Sequence, residues 1–293
     1  MSSVRIGGDV VGGGEPTWVI AEIGINHNGS MDLAKAMIDA ACDVGCDAVK
    51  FQKRTVEAVY SEAELIKPRK SPFGETNGDL KRGLEFDTRQ MSKLGRYALD
   101  KGMAWGASVW DEFSVADLAL KCTTRPSFIK IASPTLTNLN VLKACAPLMH
   151  IDRIPVILST GMSSMDEVRK AVEILGTERL VLMHCVSDYP AQKRHLNLNN
   201  IHTLGAEFGV PVGYSGHEDG NDASIYAATL GACCIERHFT LSKSLWGSDQ
   251  KVSLEPSDMR DMAIRLKLLS LMGGSYDVEC LPCEEKAKSK LRK

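Results

Sequence analysis

Eight times along this chain, an apolar run short enough for one buried strand is followed by a stretch with helical apolar spacing, and no other feature restricts the fold so tightly. The first unit joins Trp18-Val19-Ile20-Ala21-Glu22 to a helix that Ser30 can cap and that carries Leu33, Ala34, Met37, Ile38 and Ala41 at helical spacing. Strand-like runs recur at 48–51, 104–109, 128–131, 155–158, 180–183, 210–213 and 233–236. Helical stretches follow them near 88–99, 112–120, 138–145, 164–175, 198–208, 223–230 and 256–272. Strict strand–helix alternation predicts the α/β class with a parallel sheet, and eight units predict a closed (β/α)8 TIM barrel. An open doubly wound sheet is the alternative. No G-x-G-x-x-G follows the first strand, so a dinucleotide fold has little support. Gly7-Gly8 and Gly12-Gly13-Gly14 point to a short hairpin in residues 1–16, placed to close the bottom of the barrel. The expected organisation is therefore hairpin 1–16, barrel 17–275 and a Lys- and Glu-rich tail 276–293.

A barrel of this size needs a large core, and 44% hydrophobic residues in 293 supply one. The formal net charge of -2 argues against a nucleic-acid partner held by bulk charge. No apolar run is long enough to span a membrane, and Met1-Ser2-Ser3-Val4-Arg5 does not open a secretory signal, so a soluble cytoplasmic protein is expected. The nine cysteines are read as mostly reduced thiols. Cys280 and Cys283 form a lone C-x-x-C without a second pair, read as structural or incidental.

In such barrels the chemistry lies at the C-terminal ends of the strands and in the loops after them. Those positions hold Glu22, Asn26 and His27; Lys50 and Gln52; Ser108; Lys130 and Ser133; Ser159 and Thr160; His184; Ser215 and His217; and Glu236 and His238. A lysine inside an apolar strand is costly unless its charge has a partner. Lys50 and Lys130, with Ser108, Ser133 and Ser215, point to a phosphate or carboxylate ligand. The alternative is a structural network with Glu22 or Glu236. His217 and His238 close neighbouring strands, where two imidazoles can hold one divalent metal. His184 and His27 are weaker candidates, and His150, His195 and His202 are placed on helices or bottom loops without a role.

The same residues stand in strings similar to those of the N-acetylneuraminate (sialic acid) synthase family. They are Ile20-Ala21-Glu22-Ile23-Gly24-Ile25-Asn26-His27-Asn28-Gly29, Ala48-Val49-Lys50-Phe51-Gln52, Lys130-Ile131-Ala132-Ser133 and Val156-Ile157-Leu158-Ser159-Thr160-Gly161-Met162. His184-Cys185-Val186-Ser187-Asp188-Tyr189-Pro190, Gly213-Tyr214-Ser215-Gly216-His217, Glu236-Arg237-His238-Phe239-Thr240 and Ser253-Leu254-Glu255-Pro256 continue the order. The resemblance runs from about residue 4 to about residue 290.

It implies condensation of phosphoenolpyruvate with an aldose, usually an N-acylated amino sugar, to a 2-keto-3-deoxy sugar acid and phosphate, in a homodimer using a divalent metal, most often Mn2+ with Mg2+ or Co2+ as alternatives. By resemblance, Lys50, Ser108, Lys130, Ser133, Ser187 and Ser215 bind phosphoenolpyruvate, and His217 and His238 hold the metal. Glu22, Gln52, Tyr189 and Asp249 face the sugar, with Asn26 beside them as a further substrate contact. Glu22, ending a buried strand, is the expected proton carrier, and Asp249 is the second choice or a sugar-hydroxyl anchor.

Three departures touch the sugar end or the metal surroundings. Members usually carry a C-terminal antifreeze-like domain that lends an arginine to the partner subunit's site, and this sequence stops at Lys293, near where that domain would start. Thr135 replaces a family glutamate, and Ser215-Gly216-His217 replaces Ser-Asp-His. An arginine of the long connection after the second strand, Arg69 or Arg82, is one expected substitute; a solvated basic loop is the other reading. The rival functions are a synthase of an octulosonate- or heptulosonate-type acid and a non-catalytic barrel that binds sugar or a partner protein.

Overall fold

The protein is described by a computed structural model covering residues 2–274 and 277–292. The expected boundary between barrel and tail, at 275–276, lies outside the described residues. Strands β1 (Ser3–Ile6) and β2 (Asp9–Gly12) form an antiparallel hairpin. The barrel strands begin with β3 (Trp18–Gly24) and β4 (Ala48–Lys53). A small hairpin of β5 (Pro68–Ser71) and β6 (Gly74–Thr76) interrupts them. The barrel resumes with β7 (Ala104–Val109), β8 (Phe128–Ile131), β9 (Val156–Ser159), β10 (Leu180–Cys185), β11 (Val212–Gly216) and β12 (Cys234–His238). These eight strands pair in parallel and close on themselves, β12 against β3. The fold is the (β/α)8 barrel.

Each strand carries β-branched and aromatic residues and is buried along almost its whole length, so its outward face packs on helices and its inward face fills the lumen. The helices start where the sequence supplies caps. Ser30 accepts from Leu33 N, and Asp87 and Ser164 each form a capping box with Gln90 and Glu167. The helix Thr88–Asp100 buries Met91, Leu94, Gly95 and Ala98 against the sheet. One outer core under the helices is thus separate from a second cluster inside the barrel. The N-terminal hairpin sends Val4, Ile6 and Val11 into that second cluster, and Asp9 accepts from Trp18 Nε1 at 3.0 Å.

Several boundaries differ from those the sequence pattern predicts. β11 spans Val212–Gly216 rather than 210–213, and β10 and β12 each run two residues further, to Cys185 and His238. Apolar runs stop at the first polar side chain, but the backbone ladder does not, because the barrel's mouth accepts polar residues. The helix expected over 112–120 is α-helical only over Glu112–Ala116 and continues as a π-helix over Asp117–Lys121. The long connection after β4 is folded: short helices Val56–Val59 and Glu62–Leu65, the β5–β6 hairpin, and the helix Asn77–Gly83 with a Thr76–Asp79 capping box. Among the described residues, no helix is long and apolar enough to cross a membrane.

Candidate active site

Strand register sets the site. His238 lies opposite Glu22, Glu22 opposite Lys50, and Ser215 opposite Glu236, while Gln52 faces Ser108 and Ser108 faces Lys130. Neighbouring strands therefore deliver charged and hydroxylic side chains to one level of the lumen, at its C-terminal end. Lys50 donates to Ser108 Oγ at 2.6 Å, forms an ion pair with Glu22, and stands 3.8 Å from Glu236. Lys130 donates to Glu236 Oε1 at 2.6 Å, which also accepts from Ser215 at 3.1 Å. Gln52 Nε2 donates to Glu22 Oε1 at 3.2 Å. The lysines thus have the carboxylate partners of the structural alternative, yet they also line a cavity of about 90 Å³ with Glu22, Ser108, Ser215 and Glu236.

The surroundings shift these two carboxylates in opposite directions. Burial raises the Glu22 carboxyl, against the pull of Lys50 and with the help of Glu236. For Glu236 burial also acts upward, but Lys130 and Lys50 outweigh it and hold the group down to about 2. Lys130 is held above its ordinary value because Glu236 more than offsets burial. Two lysine side chains thus share the cavity with one carboxylate that they hold down and one carboxyl that burial raises, a setting that suits an anionic ligand.

His217 and His238 lie side by side with ring centroids 5.8 Å apart. His217 Nδ1 is within 2.9 Å of the Val186 carbonyl, so it carries the proton and leaves Nε2 free. Burial, then His238, pushes the His217 imidazole down to about 3 and keeps it neutral. His238 Nδ1 is buried without a hydrogen-bond partner, as is Glu236 Oε2. Among the described residues no three His, Cys, Asp or Glu side chains form a ready metal cage. The two imidazoles would offer two nitrogens to a divalent ion, whose remaining ligands would come from water or substrate oxygen.

Glu22, Lys50, Gln52, Ser108, Lys130, Ser133, Tyr189, Ser215, His217 and His238 surround this one cavity. Tyr189 leans on His217 at 4.3 Å between ring centroids, and burial, Cys185 and Asp249 raise its phenol. Three candidates do not line the cavity. Ser187 faces a neighbouring space of about 600 Å³ between the loops after β9 and β10, although a Cβ on Gly161 would lie 2.6 Å from Ser187 Oγ, 2.8 Å from Ser133 Oγ and 2.9 Å from Cys185 Sγ. Asn26 is tied down by its Nδ2, which donates to Phe239 O and Ser253 Oγ, both at 2.8 Å, and it lines a third cavity instead. Asp249 sits half-buried on the loop after β12 and accepts from Ser248 at 2.6 Å.

Other placements correct the sequence reading. Arg82 turns to Glu57 at 2.9 Å on the exposed side of its loop, away from the cavities, whereas Arg69 borders the third cavity. Thr135 donates to the Ala132 carbonyl at 3.0 Å and faces inward without a charge. His27 stacks on Phe86 at 4.0 Å, its ring pushed down to about 3 by burial and then Arg54. His184 is bound to Leu196 O at 2.6 Å. His195 is on the loop after β10, bordering the 600 Å³ space, rather than on a bottom loop. Sequence reasoning missed the buried Glu218–Arg237 pair, 2.9 Å apart, whose glutamate also accepts from Tyr214 at 2.6 Å. Its signal was present: Glu218 follows His217 just past the end of β11, whose Gly216 lies opposite Arg237 on β12.

The match to known proteins agrees with this geometry. The NeuB family model matches residues 37–277. Human N-acetylneuraminate-9-phosphate synthase is 37% identical over 97% of this chain and 78% of its own length. N,N'-diacetyllegionaminic acid synthase of Legionella pneumophila is 35% identical over 88% of this chain and 73% of its own. The crystal structure of N-acetylneuraminic acid (sialic acid) synthetase from Leptospira borgpetersenii, in complex with citrate, superposes with a TM-score of 0.85 at 28% identity, covering 99% of this chain and 98% of that one. By its barrel, its ordered motifs and these matches, the chain belongs to the NeuB family of sugar-acid synthases.

Proposed function

We propose that the protein condenses phosphoenolpyruvate with an N-acylated amino sugar of the N-acetylmannosamine kind, giving a nonulosonate (a 2-keto-3-deoxy sugar acid) and phosphate. The observation that carries this reading is the pair of buried lysines, Lys50 and Lys130, in a hydroxyl-lined cavity beside the imidazoles of His217 and His238. The relatives support the product class, and they include synthases of both a phosphorylated and an unphosphorylated acid.

In this reading Lys50 and Lys130, with Ser108, Ser133 and Ser215, hold the phosphate and carboxylate of phosphoenolpyruvate away from bulk water, and Ser187 supports Ser133 from behind Gly161. Gln52, Tyr189 and Asp249 orient the sugar. His217 and His238 hold a divalent metal, manganese first and magnesium or cobalt as substitutes, which when bound supplies Lewis acidity to an aldehyde oxygen. Carbon 3 of phosphoenolpyruvate forms a bond to the aldehyde carbon, and Glu22, whose carboxyl burial raises, gives its proton to the aldehyde oxygen. Water adds at carbon 2, one of its protons returning to Glu22. The carbon–oxygen bond to phosphate then breaks, and the hydroxyl proton leaves with the phosphate as the ketone forms.

The test is phosphate release from phosphoenolpyruvate with manganese and a panel of aldoses. Release that requires both aldose and metal is the expected result. A preference for an aldose without an N-acyl group would reassign the product to the octulosonate or heptulosonate type. Silence with every aldose, from folded and metal-loaded protein, would leave a barrel that binds without catalysing.

A further inference from the structure

The backbone ladder between β11 and β12 stops one residue short of the two imidazoles. Its last pair is Gly216 opposite Arg237, and His217 and His238 are the next residues of the two segments. On its other side His238 is held by pairing with Glu22 of β3. Toward β11, side chains take over from the ladder. Arg237 donates through Nη2 to the Glu218 carbonyl at 2.5 Å and through Nη1 to the Gly220 carbonyl at 2.7 Å. The same Nη1 reaches Glu218 Oε1 at 2.9 Å and Ser224 Oγ at 3.0 Å. The residue before one imidazole thus grips the residue after the other.

A glycine makes the space for this grip. A Cβ at Gly216 would stand 2.8 Å from Glu218 Oε2, 2.9 Å from Glu218 Oε1 and 2.9 Å from the Tyr214 ring. The Glu218 carboxylate therefore fills the position that a side chain at 216 would take, and Tyr214 donates to its Oε2 at 2.6 Å. The departure at Ser215-Gly216-His217 thus has a counterpart two residues on: the carboxylate absent from 216 is present at 218. Glu218 and Arg237 are each 1% exposed. A buried ion pair recovers little beyond its own desolvation, so stability alone does not account for it, whereas fixing one arrangement of two strand ends does.

We propose that Glu218 and Arg237 are positioning residues that set the spacing of His217 and His238, and so the affinity of the two imidazoles for a divalent ion. This inference rests on the metal-dependent synthase reading and adds to it the group that replaces the carboxylate at 216. Neither residue lines the reaction cavity; each acts through the backbone of the histidine beside it. The loop after β10 steadies His217 through the Val186 carbonyl and through Ala191 N, which donates to the His217 carbonyl at 3.0 Å. What the buried pair adds is the distance between the two strands. A ring separation, here 5.8 Å between centroids, must hold to within about 0.5 Å for two nitrogens to share one ion.

The experiment measures Mn2+ binding to the full chain by titration calorimetry without substrate, beside the thermal midpoint and the Mn2+ dependence of turnover. Glu218→Gln/Arg237→Met removes both charges at similar volume and leaves Tyr214 an acceptor. It should weaken Mn2+ binding about 10-fold, the scale expected of groups that orient metal ligands, with little change in thermal midpoint. Turnover lost at low Mn2+ should return when Mn2+ is saturating. Gly216→Asp/Glu218→Ala moves the carboxylate back to 216, where the backbone has no positive φ and accepts a side chain. It should bind Mn2+ more tightly than Glu218→Ala alone, and it decides the matter if the first variant does not fold. Unchanged Mn2+ affinity in the first variant, or no recovery in the second, would overturn the proposal. A midpoint that falls while Mn2+ affinity holds would make the pair structural only. If the parent chain binds Mn2+ but no aldose supports turnover, the synthase reading fails separately and the titrations still decide the pair. A parent chain that binds no Mn2+ would overturn the proposal outright.

Discussion

The two ends of one barrel lumen obey opposite rules. At the N-terminal floor, Trp18, Phe128, Ile20, Ile157 and Val181 pack with Ile6 and Val11 of the hairpin into an apolar plug. At the C-terminal mouth, Glu22, Lys50, Lys130 and Glu236 are each no more than 5% exposed, yet all are ionisable. Phe128 and Lys130 show the contrast on a single strand, two residues apart. The floor gains by removing apolar area from water, whereas the mouth gives up solvation of four groups and recovers it only through ion pairs and ligand. Mutations should therefore separate the two ends: floor residues govern stability and mouth residues govern turnover.

The strongest way to break that comparison is Lys130→Met. Loss of its ammonium should lower kcat/KM for phosphoenolpyruvate by about 1000-fold, near 4 kcal/mol of transition-state stabilisation, measured by phosphate release. A change below tenfold would return Lys130 to the structural alternative. Phe128→Ala should do the reverse, costing about 3 kcal/mol of unfolding free energy in a denaturant titration and leaving kcat/KM within a few-fold.

Asp47 gives a third test, because it is a polar group placed at the floor. It accepts from Val19 N at 2.7 Å, and burial, only partly offset by that bond, pushes its carboxyl from 3.8 up to about 6. The folded state thus holds this proton more tightly than the unfolded state. The resulting stability is complete below about pH 4 and lost as the pH rises through about 6. Asp47→Asn should then stabilise the protein by about 2 kcal/mol at pH 7 and by nothing at pH 4. Equal midpoint shifts at both pH values would contradict the assignment. The smallest effect expected is that of Gly161→Ala, whose new methyl must displace Ser133 or Ser187 and should raise the KM for phosphoenolpyruvate about tenfold with little change in thermal midpoint.

The floor was legible in the sequence because apolar alternation is what it is made of, and the strand cores came out at the right places for that reason. The mouth was legible only in part. Lys50 and Lys130 stood out as charges inside apolar runs, but the ends of β10, β11 and β12 were hidden by the polar residues that the site requires. The segment between β4 and the helix Thr88–Asp100 defeated periodicity because its helices of four residues are too short to display a period. Asn26, Ser187 and Asp249 were assigned to the site by nearness in sequence to strand ends or by resemblance. A loop of a few residues is enough to turn a side chain from one cavity to its neighbour, and no sequence pattern encodes that turn.

The β5–β6 hairpin has a consequence for how such enzymes diversify. Lys50 and Lys130, proposed to grip phosphoenolpyruvate, belong to hydrogen-bonded strands of the closed ladder itself. Arg69 and Lys70 belong to an excursion outside that ladder, packed on the barrel by Phe86 stacked on His27 and by Phe73 against Trp246. The excursion is thereby free to vary without opening the barrel: replacing residues 54–86 as a cassette should leave the eight-strand ladder closed.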